Sequence, residues 1–334
     1  CFGLFDRSFS PYNPVTGNVR NRTTEIHQNR IDLERYSNWT EKSTLDKKLN
    51  IGIVGGGISG SFAAMLLDNL GHNVTIWDKG RRASGRLSSK KLTSDSSIHV
   101  GSKSFDSLPK WMERYVSEWT RLKLVRMDGN SLVPIKPLSE IIKHLNKKVG
   151  VNYGCKVTSL EEKNESVEVT VKNQDNINKY QYDRVIVALP IEQAIDICNP
   201  LGLEINGVSD SIWVAWGPSD KIDIIPENWE SYYHTSGSGV MEIRIRNDEI
   251  ISDDKLNSRD VVDFVTDKLG VDSSNWQAHY WKYAIPVEGP GEIIHTSRVS
   301  IIGDGFGQPL GTVGGAIESS GRVVSEIHLS KLNF

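Results

Sequence analysis

The fold of this chain is decided by residues 51–60, which have the sequence IGIVGGGISG. Ile51–Val54 is a short run of mostly β-branched residues, typical of a buried parallel strand. After Gly60, apolar positions recur at helical spacing as far as Gly71, where a glycine favours the end of a helix. Val74–Trp77 is a second predicted strand. A strand, a helix and a strand in so short a span predict the βαβ unit of a Rossmann-like nucleotide-binding fold.

The glycines of this first strand-to-helix junction have separate expected roles. Gly55 allows the tight turn, Gly57 lets the backbone approach a pyrophosphate, and Gly60 permits close packing of helix on strand. Ile58 and Ser59 begin the helix, whose free N–H groups and positive dipole end attract phosphate. We therefore predict a dinucleotide site here; the alternative is a glycine-rich turn that binds no ligand.

An acidic residue ends the second strand, where dinucleotide-binding folds bind ribose. Asp78 lies 18 residues after Gly60, and its carboxylate is expected to accept hydrogen bonds from the adenosine ribose. It would also repel a 2′-phosphate, which argues against tight NADP binding. Arg86 follows at a distance that allows it to fold back and donate to the pyrophosphate. Arg81 and Arg82 are rivals for that role, and a solvated basic loop is the alternative.

A second strand-to-helix junction lies about 250 residues after the first. Val299–Ile302 is a predicted buried strand that ends at Gly303-Asp304-Gly305, and residues 311–316 (GTVGGA) open another helix. The Asp304 carboxylate suits the ribityl hydroxyls of a flavin, and Gly305 suits close approach of a phosphate. The N-terminus of the helix suits a flavin ring that gains negative charge on reduction. Two such junctions favour FAD, although the second alone would also fit an ordinary loop before a surface helix.

The residues expected to bind FAD come mainly from the two junctions, with one further strand residue. They are Gly55, Gly57, Ile58, Ser59, Gly60, Asp78, Lys79, Arg86, Val157, Gly303, Asp304, Gly305, Thr312, Val313 and Gly314.

Composition excludes several classes of protein. The chain has 334 residues and a formal net charge of −3, without a dense Lys/Arg tract, so nucleic acid is not an expected partner. Its three cysteines, Cys1, Cys155 and Cys198, are widely spaced and predict neither a disulfide framework nor a metal site. No apolar run approaches the roughly 20 residues that cross a bilayer. We expect a soluble protein without a membrane partner, most simply cytoplasmic, whose oligomeric state the sequence does not indicate.

Changes in composition predict an α/β chain, with a Rossmann-like FAD-binding domain and an inserted substrate domain built on a mixed or antiparallel sheet. Residues 1–48 are a polar N-terminal extension, and their Arg- and Ser-rich, acid-poor composition also permits organelle import. The expected boundaries of the remaining parts are 49–105, 151–190 and 291–334 for the FAD-binding domain, 106–150 for a mostly helical segment near the site, and 191–290 for the substrate domain.

Between the junctions, periodicity predicts several further elements. Helices are expected over Trp111–Trp119 and Leu138–Val149, where apolar residues recur at helical spacing. Val167–Val171 alternates like a strand. The polar stretch Lys172–Lys179 is expected to turn the chain into a second strand, Tyr180–Tyr182.

These motifs resemble the renalase-like branch of the FAD-dependent amine oxidase superfamily, over about residues 49–328. Residues 84–86 (SGR) resemble its Gly-Gly-Arg, and residues 101–105 (GSKSF) stand where relatives carry a Gly-Ala-Gln-Tyr-Phe-like segment beside the flavin. Residues 281–286 (WKYAIP) resemble its Trp-Arg-Tyr-Ala-x-Pro segment, and Gly303–Gly321 resembles its C-terminal flavin motif. The resemblance implies noncovalent FAD, because the last segment lacks the cysteine to which some relatives attach the ring.

The resemblance also implies an activity. It implies an oxidoreductase that removes a hydride from a small-molecule substrate and passes the electrons to molecular oxygen. In the renalase-like branch that substrate is an isomeric dihydronicotinamide nucleotide. Lys103 stands where glutamine is commoner in the family, and residues 191–290 match the family only loosely. The resemblance therefore predicts the substrate less well than it predicts the fold and the cofactor. An amine or amino-acid oxidase is the enzymatic alternative, and a non-catalytic flavin-binding or sensor protein is the alternative of another class.

Candidates for catalysis are few, because flavin-dependent oxidation needs little beyond placing the donor carbon and excluding water. Lys103 and Lys282 are candidates because related amine oxidases place a lysine near the flavin, and a solvated surface lysine is the alternative. His279 is a candidate base or substrate contact, since histidine titrates near neutral pH. A hydrogen-bonded histidine in a sheet would have the same sequence pattern.

Aromatic residues are the expected walls of the substrate pocket. Trp281 and Tyr283 are assigned to the pocket because they lie in the segment that resembles the family. Trp213 and Trp216 fit a pocket wall and an ordinary core equally well, because sequence does not separate these two roles.

Overall fold

The computed structural model describes residues 48–82, 85–91, 97–105, 107–129, 131–174, 176–218, 225–234, 239–250 and 256–329. Residues 1–47 of the expected extension, and Ser84 of the expected SGR motif, lie outside these ranges. The described residues form an α/β fold with a Rossmann-like sheet and a separate antiparallel sheet, which confirms the predicted fold class.

The described residues include seventeen β-strands. They are β1 (Asn50–Val54), β2 (Asn73–Asp78), β3 (Ser89–Lys91), β4 (Ser97–His99), β5 (Val125–Asp128), β6 (Ser131–Pro134), β7 (Gly150–Tyr153), β8 (Lys156–Glu162), β9 (Val167–Asn173), β10 (Asn176–Tyr182), β11 (Arg184–Val187), β12 (Val208–Pro218), β13 (Glu230–His234), β14 (Val240–Arg246), β15 (Gln277–Glu288), β16 (Ile294–His295) and β17 (Val299–Ile301).

The α-helices are α1 (Ile58–Asn69), α2 (Glu113–Arg121), α3 (Ser139–Leu145), α4 (Ile191–Cys198), α5 (Ser258–Leu269) and α6 (Val313–Leu329). Short 3₁₀ turns cover Gly85–Leu87, Lys110–Met112, Asn146–Lys148, Asn199–Leu201 and Asn247–Glu249. No helix among the described residues is long and apolar enough to span a bilayer.

The main sheet places the first junction at its centre. Its strand order is β16-β17-β11-β1-β2-β7, and all neighbours are parallel except β16 and β17. Ile53 of β1 lies opposite Ile186 of β11 and Ile76 of β2, and all three side chains are buried. Burial on both faces explains why β1 is almost continuously apolar.

The two junctions lie side by side although they are far apart in the chain. Helix α1 packs against α6, and the hydroxyl oxygens of Ser59 and Ser320 are 3.0 Å apart. The Ser320 hydroxyl also donates to the Ser59 carbonyl oxygen, at 2.9 Å. Both hydroxyls are buried, so the contact fixes the first turn of α1 against the middle of α6.

The second sheet is antiparallel, with strand order β13-β14-β12-β15. Helix α5 covers one face, where Trp213 packs with Ile243 and Val265. On another part of the sheet, Trp216 packs with Val100 among residues from β4, β12 and β14. Trp213 and Trp216 are both buried in these clusters, and neither lines the cavity described below.

Two elements differ from their predicted bounds. Strands β9 and β10 pair from Asn173 opposite Asn176, so the turn is much shorter than the predicted Lys172–Lys179. Residues 176–181 are exposed on the outer strand of their sheet, and an exposed outer strand tolerates the polar residues that otherwise indicate a turn. The helix predicted over 138–149 is shorter as well, because α3 ends at Leu145 and continues as a 3₁₀ turn.

A buried hydrogen bond connects β2 with β10, and we expect Tyr182→Phe to break it. The indole N–H of Trp77 donates to the Tyr182 hydroxyl oxygen at 2.9 Å, and both residues are buried. The variant leaves a buried donor without its acceptor, so the free energy of unfolding should fall by about 1–3 kcal/mol. Urea unfolding measures the change. The control Tyr180→Phe, on the same strand but 37% exposed, should cause little loss; equal losses in both variants would contradict this role.

Candidate active site

A cavity of about 1110 Å³ connects both junctions with β15 of the second sheet. Small-molecule pockets usually measure about 300–1,000 Å³. The cavity therefore suits a large cofactor together with a second molecule. Its walls bring together most of the site residues that the sequence predicts, namely Gly55, Gly57, Ile58, Ser59, Asp78, Lys79, Arg86, Lys103, Val157, His279, Trp281, Lys282, Tyr283, Gly303, Asp304, Thr312 and Val313.

The first junction leaves open space where a ligand can approach the backbone. Gly55 has a φ of 105°, and a side chain there would collide with the carbonyl oxygen of Ala188. A β-carbon on Gly57, in contrast, would meet no atom within 4 Å. Helix α1 starts directly afterwards at Ile58, and no side chain caps its N-terminus. This arrangement fits a phosphate group, since N–H groups at a helix N-terminus attract anions.

Three predicted glycines do not line the cavity. A side chain on Gly60 would collide with the carbonyl oxygen of Gly55, and one on Gly305 would collide with the side chain of Ile191. Gly314 is buried in the first turn of α6. Gly60 has the packing position that was expected of it. Gly305 packs against the side chain of Ile191, whereas its expected position was beside a phosphate.

Asp78 is fixed by two backbone donors at the end of β2. The N–H groups of Gly56 and Gly80 each donate to one of its carboxylate oxygens, both at 2.6 Å. A carboxylate has about four acceptor positions, which leaves capacity for ribose hydroxyls. Lys79 donates to the Gln193 side chain at 3.1 Å. The apolar part of the cavity wall beside Asp78 consists of Trp77, Cys155 and Val157.

Arg86 and Asp304 form an ion pair with each other. The Arg86 guanidinium also donates to the carbonyl oxygen of Ala284 on β15, at 3.0 Å. Arg86 therefore joins the second junction to the antiparallel sheet. The sequence predicted a separate contact of each residue with FAD, and it gave no signal of their pairing.

The second junction is fixed by the hydroxyl of Thr312, directly before α6, and by that of Ser319 within the helix. The Thr312 hydroxyl accepts from the N–H of Gly315 at 2.9 Å and donates to the carbonyl oxygen of Pro309 at 2.7 Å. The Ser319 hydroxyl accepts from the N–H of Gly303 at 3.0 Å. Thr312 and Val313 consequently stand at the cavity wall, at the start of the helix. The cavity thus has a helix N-terminus at each junction, as a flavin dinucleotide requires.

Strand β15 supplies the wall opposite these junctions. The indole N–H of Trp281 donates to the Val100 carbonyl oxygen at 2.7 Å. The rings of His279 and Trp281 meet edge to face, with centroids 4.6 Å apart. Burial lowers the pKa of His279 below its usual value, and the nearby Lys90 lowers it further, so His279 is mostly neutral at pH 7.

The two candidate lysines have opposite environments. Lys282 is exposed, and its pKa is raised mainly by a hydrogen bond to Tyr283, so it stays protonated. Burial lowers the pKa of Lys103 to about 8, and the nearby Arg244 charge lowers it too, whereas Glu242 opposes the shift. Lys103 is therefore mostly charged at pH 7, but it titrates within an accessible range.

Sequence reasoning missed the group that holds Lys103. Its ammonium forms an ion pair with Glu242, whose side chain is 0% exposed. The Nε of Arg244 donates to the other oxygen of Glu242 at 2.9 Å. Tyr232 lies beside both cations. We call Lys103, Tyr232, Glu242 and Arg244 the charged cluster.

The only sequence signal for this cluster was an acid and an arginine two residues apart in the apolar strand Val240–Arg246. Arg244 lines the cavity, whereas Arg246 is largely exposed and pairs with Asp210 at 3.5 Å. These two arginines of one strand therefore have different environments. Within the described ranges, no group of three or more His, Cys, Asp and Glu side chains is placed to hold a metal ion.

Two family models match the chain. The model of an NAD(P)-binding Rossmann-like domain matches residues 53–119, and that of the flavin-containing amine oxidoreductases matches residues 113–201. These matches support an FAD-dependent oxidoreductase that is similar to the flavin-containing amine oxidoreductases, and they support FAD as its cofactor. The open cradle at Gly57 and the second helix N-terminus at Thr312 fit this cofactor.

Solved structures with the same fold include proteins with different activities. CabE, an aromatic hydroxylase from angucycline biosynthesis, has 13% identity and a TM-score of 0.60, with 84% of this chain and 63% of CabE covered. A protein from Exiguobacterium sp. 255-15, provisionally assigned as a protoporphyrinogen oxidase, has 12% identity and a TM-score of 0.61, with 86% and 100% covered. The OxyS anhydrotetracycline hydroxylase from Streptomyces rimosus has 11% identity and a TM-score of 0.56, with 85% and 63% covered.

These identities show a shared fold and nothing finer. This chain spans 63% of the length of CabE and of OxyS.

Proposed function

We propose that this protein oxidises an isomeric dihydronicotinamide nucleotide and passes the electrons to molecular oxygen. One observation carries the proposal: the aromatic wall of β15 and both junctions border a single cavity of about 1110 Å³. A flat donor ring on this wall would share the cavity with the cofactor. FAD, when bound, supplies the hydride acceptor and returns the electrons to oxygen. The resemblance to the renalase-like branch supports this choice of substrate.

The contribution of the chain is to place the donor ring and to exclude water. The hydrogen bond from Trp281 to Val100 fixes the indole in one orientation, and Tyr283 borders the same cavity. Fixed aromatic rings are suited to stacking on a flat substrate. Removal of a hydride from a dihydronicotinamide ring requires no base, so a neutral His279 serves as a substrate contact in this proposal.

The charges of the cavity wall favour a nucleotide over a simple amine. A protonated amine would approach Lys103 and Arg244, both of which line the cavity. The nearby carboxylate that would attract it, Glu242, is fully buried and already paired with these two cations. An amino-acid oxidase is the second candidate, because the carboxylate of an amino acid would suit Arg244.

Anaerobic stopped-flow absorbance tests the proposed function. The FAD-loaded protein is mixed with isomeric dihydronicotinamide nucleotides, with ordinary NADH and NADPH, with simple amines and with amino acids. We expect rapid loss of flavin absorbance with the isomeric nucleotides only, then recovery and hydrogen peroxide formation when oxygen is added. Bleaching by amines or amino acids alone would instead support an oxidase of those compounds. No bleaching by any donor would support a non-catalytic flavin protein.

The aromatic wall gives this experiment a matched pair of variants. Tyr283→Ala removes a ring from the cavity wall, and bleaching should slow by about 5- to 160-fold if the ring contributes about 1–3 kcal/mol by stacking. Tyr233→Ala removes a ring that is exposed on β13 and does not line the cavity, so its rate should match the wild type. Equal rates in all three proteins would contradict a stacking role for Tyr283.

A further inference from the structure

We propose that the charged cluster is an oxyanion-binding subsite that fixes a carboxylate or phosphate group of the substrate. The cluster opens into the cavity through Lys103, Tyr232 and Arg244. The inference rests on the proposed function only in placing the substrate in this cavity. It adds a recognition element that the match to the amine oxidoreductases does not cover, since Tyr232 and Arg244 lie outside the matched residues 113–201.

The charges of the cluster do not balance. Lys103 and Arg244 share one carboxylate, that of Glu242, so one positive charge remains at the wall. A further acid that acts on Lys103 is Glu230, which accepts from the Tyr232 hydroxyl at 3.2 Å. Glu230 is exposed, and an exposed acid is screened by water. A bound oxyanion would therefore neutralise the remaining charge.

Arg244 is fixed in position yet keeps donors for a ligand. Its Nε donates to Glu242, and its Nη2 donates to the carbonyl oxygens of His99 and Gly101. Its hydrogen bonds within the described ranges thus leave the two N–H donors of Nη1. A guanidinium held in this way loses little conformational entropy when it binds an anion.

Lys103 presents its donors to the same part of the cavity. Its Nζ is 4.5 Å from the centroid of the Tyr232 ring, and the Cζ of Arg244 is 5.5 Å from the same centroid. One ring therefore lies beside both cations. Lys103 uses one of its three donors for Glu242. An oxyanion near Tyr232 would accept from the ammonium and the guanidinium together, and such charge-assisted bonds are strong.

Calorimetric titration of the FAD-loaded protein with unreactive ligand pairs tests the proposal. Nicotinate and nicotinamide form the carboxylate arm, and nicotinamide mononucleotide and nicotinamide riboside form the phosphate arm. At pH 7 we expect the anionic member of at least one pair to bind about 10- to 100-fold more tightly. For each pair, the affinity of the member with the oxyanion is divided by that of the member without it. The pair with the larger ratio identifies which oxyanion the subsite binds.

Three variants distinguish a role of the charged cluster in anion binding from a role in folding. Lys103→Met leaves Glu242 paired with Arg244, so the protein should fold. The ratio of affinities within each pair should fall towards one, with unchanged affinity for neutral nicotinamide. The double variant Glu242→Gln/Arg244→Gln removes the guanidinium together with its buried carboxylate partner and leaves Lys103 as the remaining charge. The affinity ratio should fall because the fixed guanidinium donors are lost. Arg246→Met is the matched control, because Arg246 lies on the same strand but outside the cavity, and its ratio should equal that of the wild type.

The pH dependence is an independent readout. The groups that face Lys103 are Glu242, Arg244, Glu230 and Tyr232. Lys103 loses its charge as the pH rises through about 8, so affinity for the anionic ligand should fall over that range while affinity for neutral nicotinamide stays constant. Lys103→Met should abolish this dependence.

Equal affinities within both pairs in the wild type, or a ratio that survives in both cluster variants, would overturn the proposal. Because this titration needs no turnover, its outcome is independent of the stopped-flow experiment. Anion selectivity without bleaching by dihydronicotinamides would support the subsite and contradict the substrate. Bleaching without anion selectivity would support the substrate and contradict the subsite.

Discussion

Gly57→Ala should weaken FAD binding by about 100-fold or more, roughly 2.7 kcal/mol, without changing the stability of the FAD-free protein. Gly57 has a φ of −72° and a ψ of −171°, which alanine also adopts. Apart from its two chain neighbours, no described residue has an atom within 4 Å of the added methyl group, so the described part of the fold tolerates it. The methyl group would occupy the space through which a pyrophosphate approaches the start of α1. Fluorescence titration with FAD measures the affinity, and thermal unfolding of the FAD-free protein measures the stability.

Two other glycines make this prediction specific. A methyl group at Gly150 also meets no atom within 4 Å, but Gly150 begins β7 away from the cavity, so Gly150→Ala should leave both quantities unchanged. Gly60→Ala should destabilise the FAD-free protein, because its methyl group collides with the Gly55 carbonyl oxygen. Unchanged FAD affinity in Gly57→Ala would mean that no phosphate approaches this turn.

Glu242→Leu should lower the free energy of unfolding by about 3–5 kcal/mol. The substitution removes the carboxylate that Lys103 and Arg244 share, and these side chains are only 19% and 15% exposed. Two like charges would then face each other in a poorly hydrated site. Urea unfolding of the FAD-loaded protein, at constant FAD concentration, measures the loss.

Removal of the unpaired charges should reverse most of this loss. The triple variant Lys103→Met/Glu242→Leu/Arg244→Met replaces the whole ion network by apolar side chains, and such replacements are often neutral or stabilising. The control Asp263→Leu breaks an exposed pair with Arg259 on α5, which should cost only about 0.3–0.5 kcal/mol. A triple variant as unstable as Glu242→Leu would show that unpaired charge is not the cause.

Both junctions were predictable because their signals are local. At residues 51–60 the strand, the turn and the helix each follow from neighbouring side chains, and the required glycines lie within six residues of one another. The second junction is local in the same way, from Val299 to Gly315. Local sequence therefore predicted the fold class and the cofactor, and the family matches support both.

The charged cluster was not predictable, because its partners are far apart in the chain. Lys103 and Glu242 are separated by 139 residues, and Arg86 and Asp304 by 218. Nothing next to Glu242 shows that its carboxylate is buried, since an alternating strand places every second side chain on the same face. The extent of strand β10 was predicted wrongly for a different reason, because its exposed polar residues have the composition of a turn.

The contact between Ser59 and Ser320 joins residues 261 positions apart, and this has a consequence for biosynthesis. The antiparallel sheet lies entirely within residues 208–288, so all of its strands have been translated before α6. The cofactor cradle needs α1 and α6 together, so it closes only afterwards. Flavin is therefore the last component to be enclosed, and its binding free energy stabilises only chains that have completed this closure. When flavin is scarce, cells would accumulate chains with a finished antiparallel sheet and an open nucleotide site, which proteases can degrade.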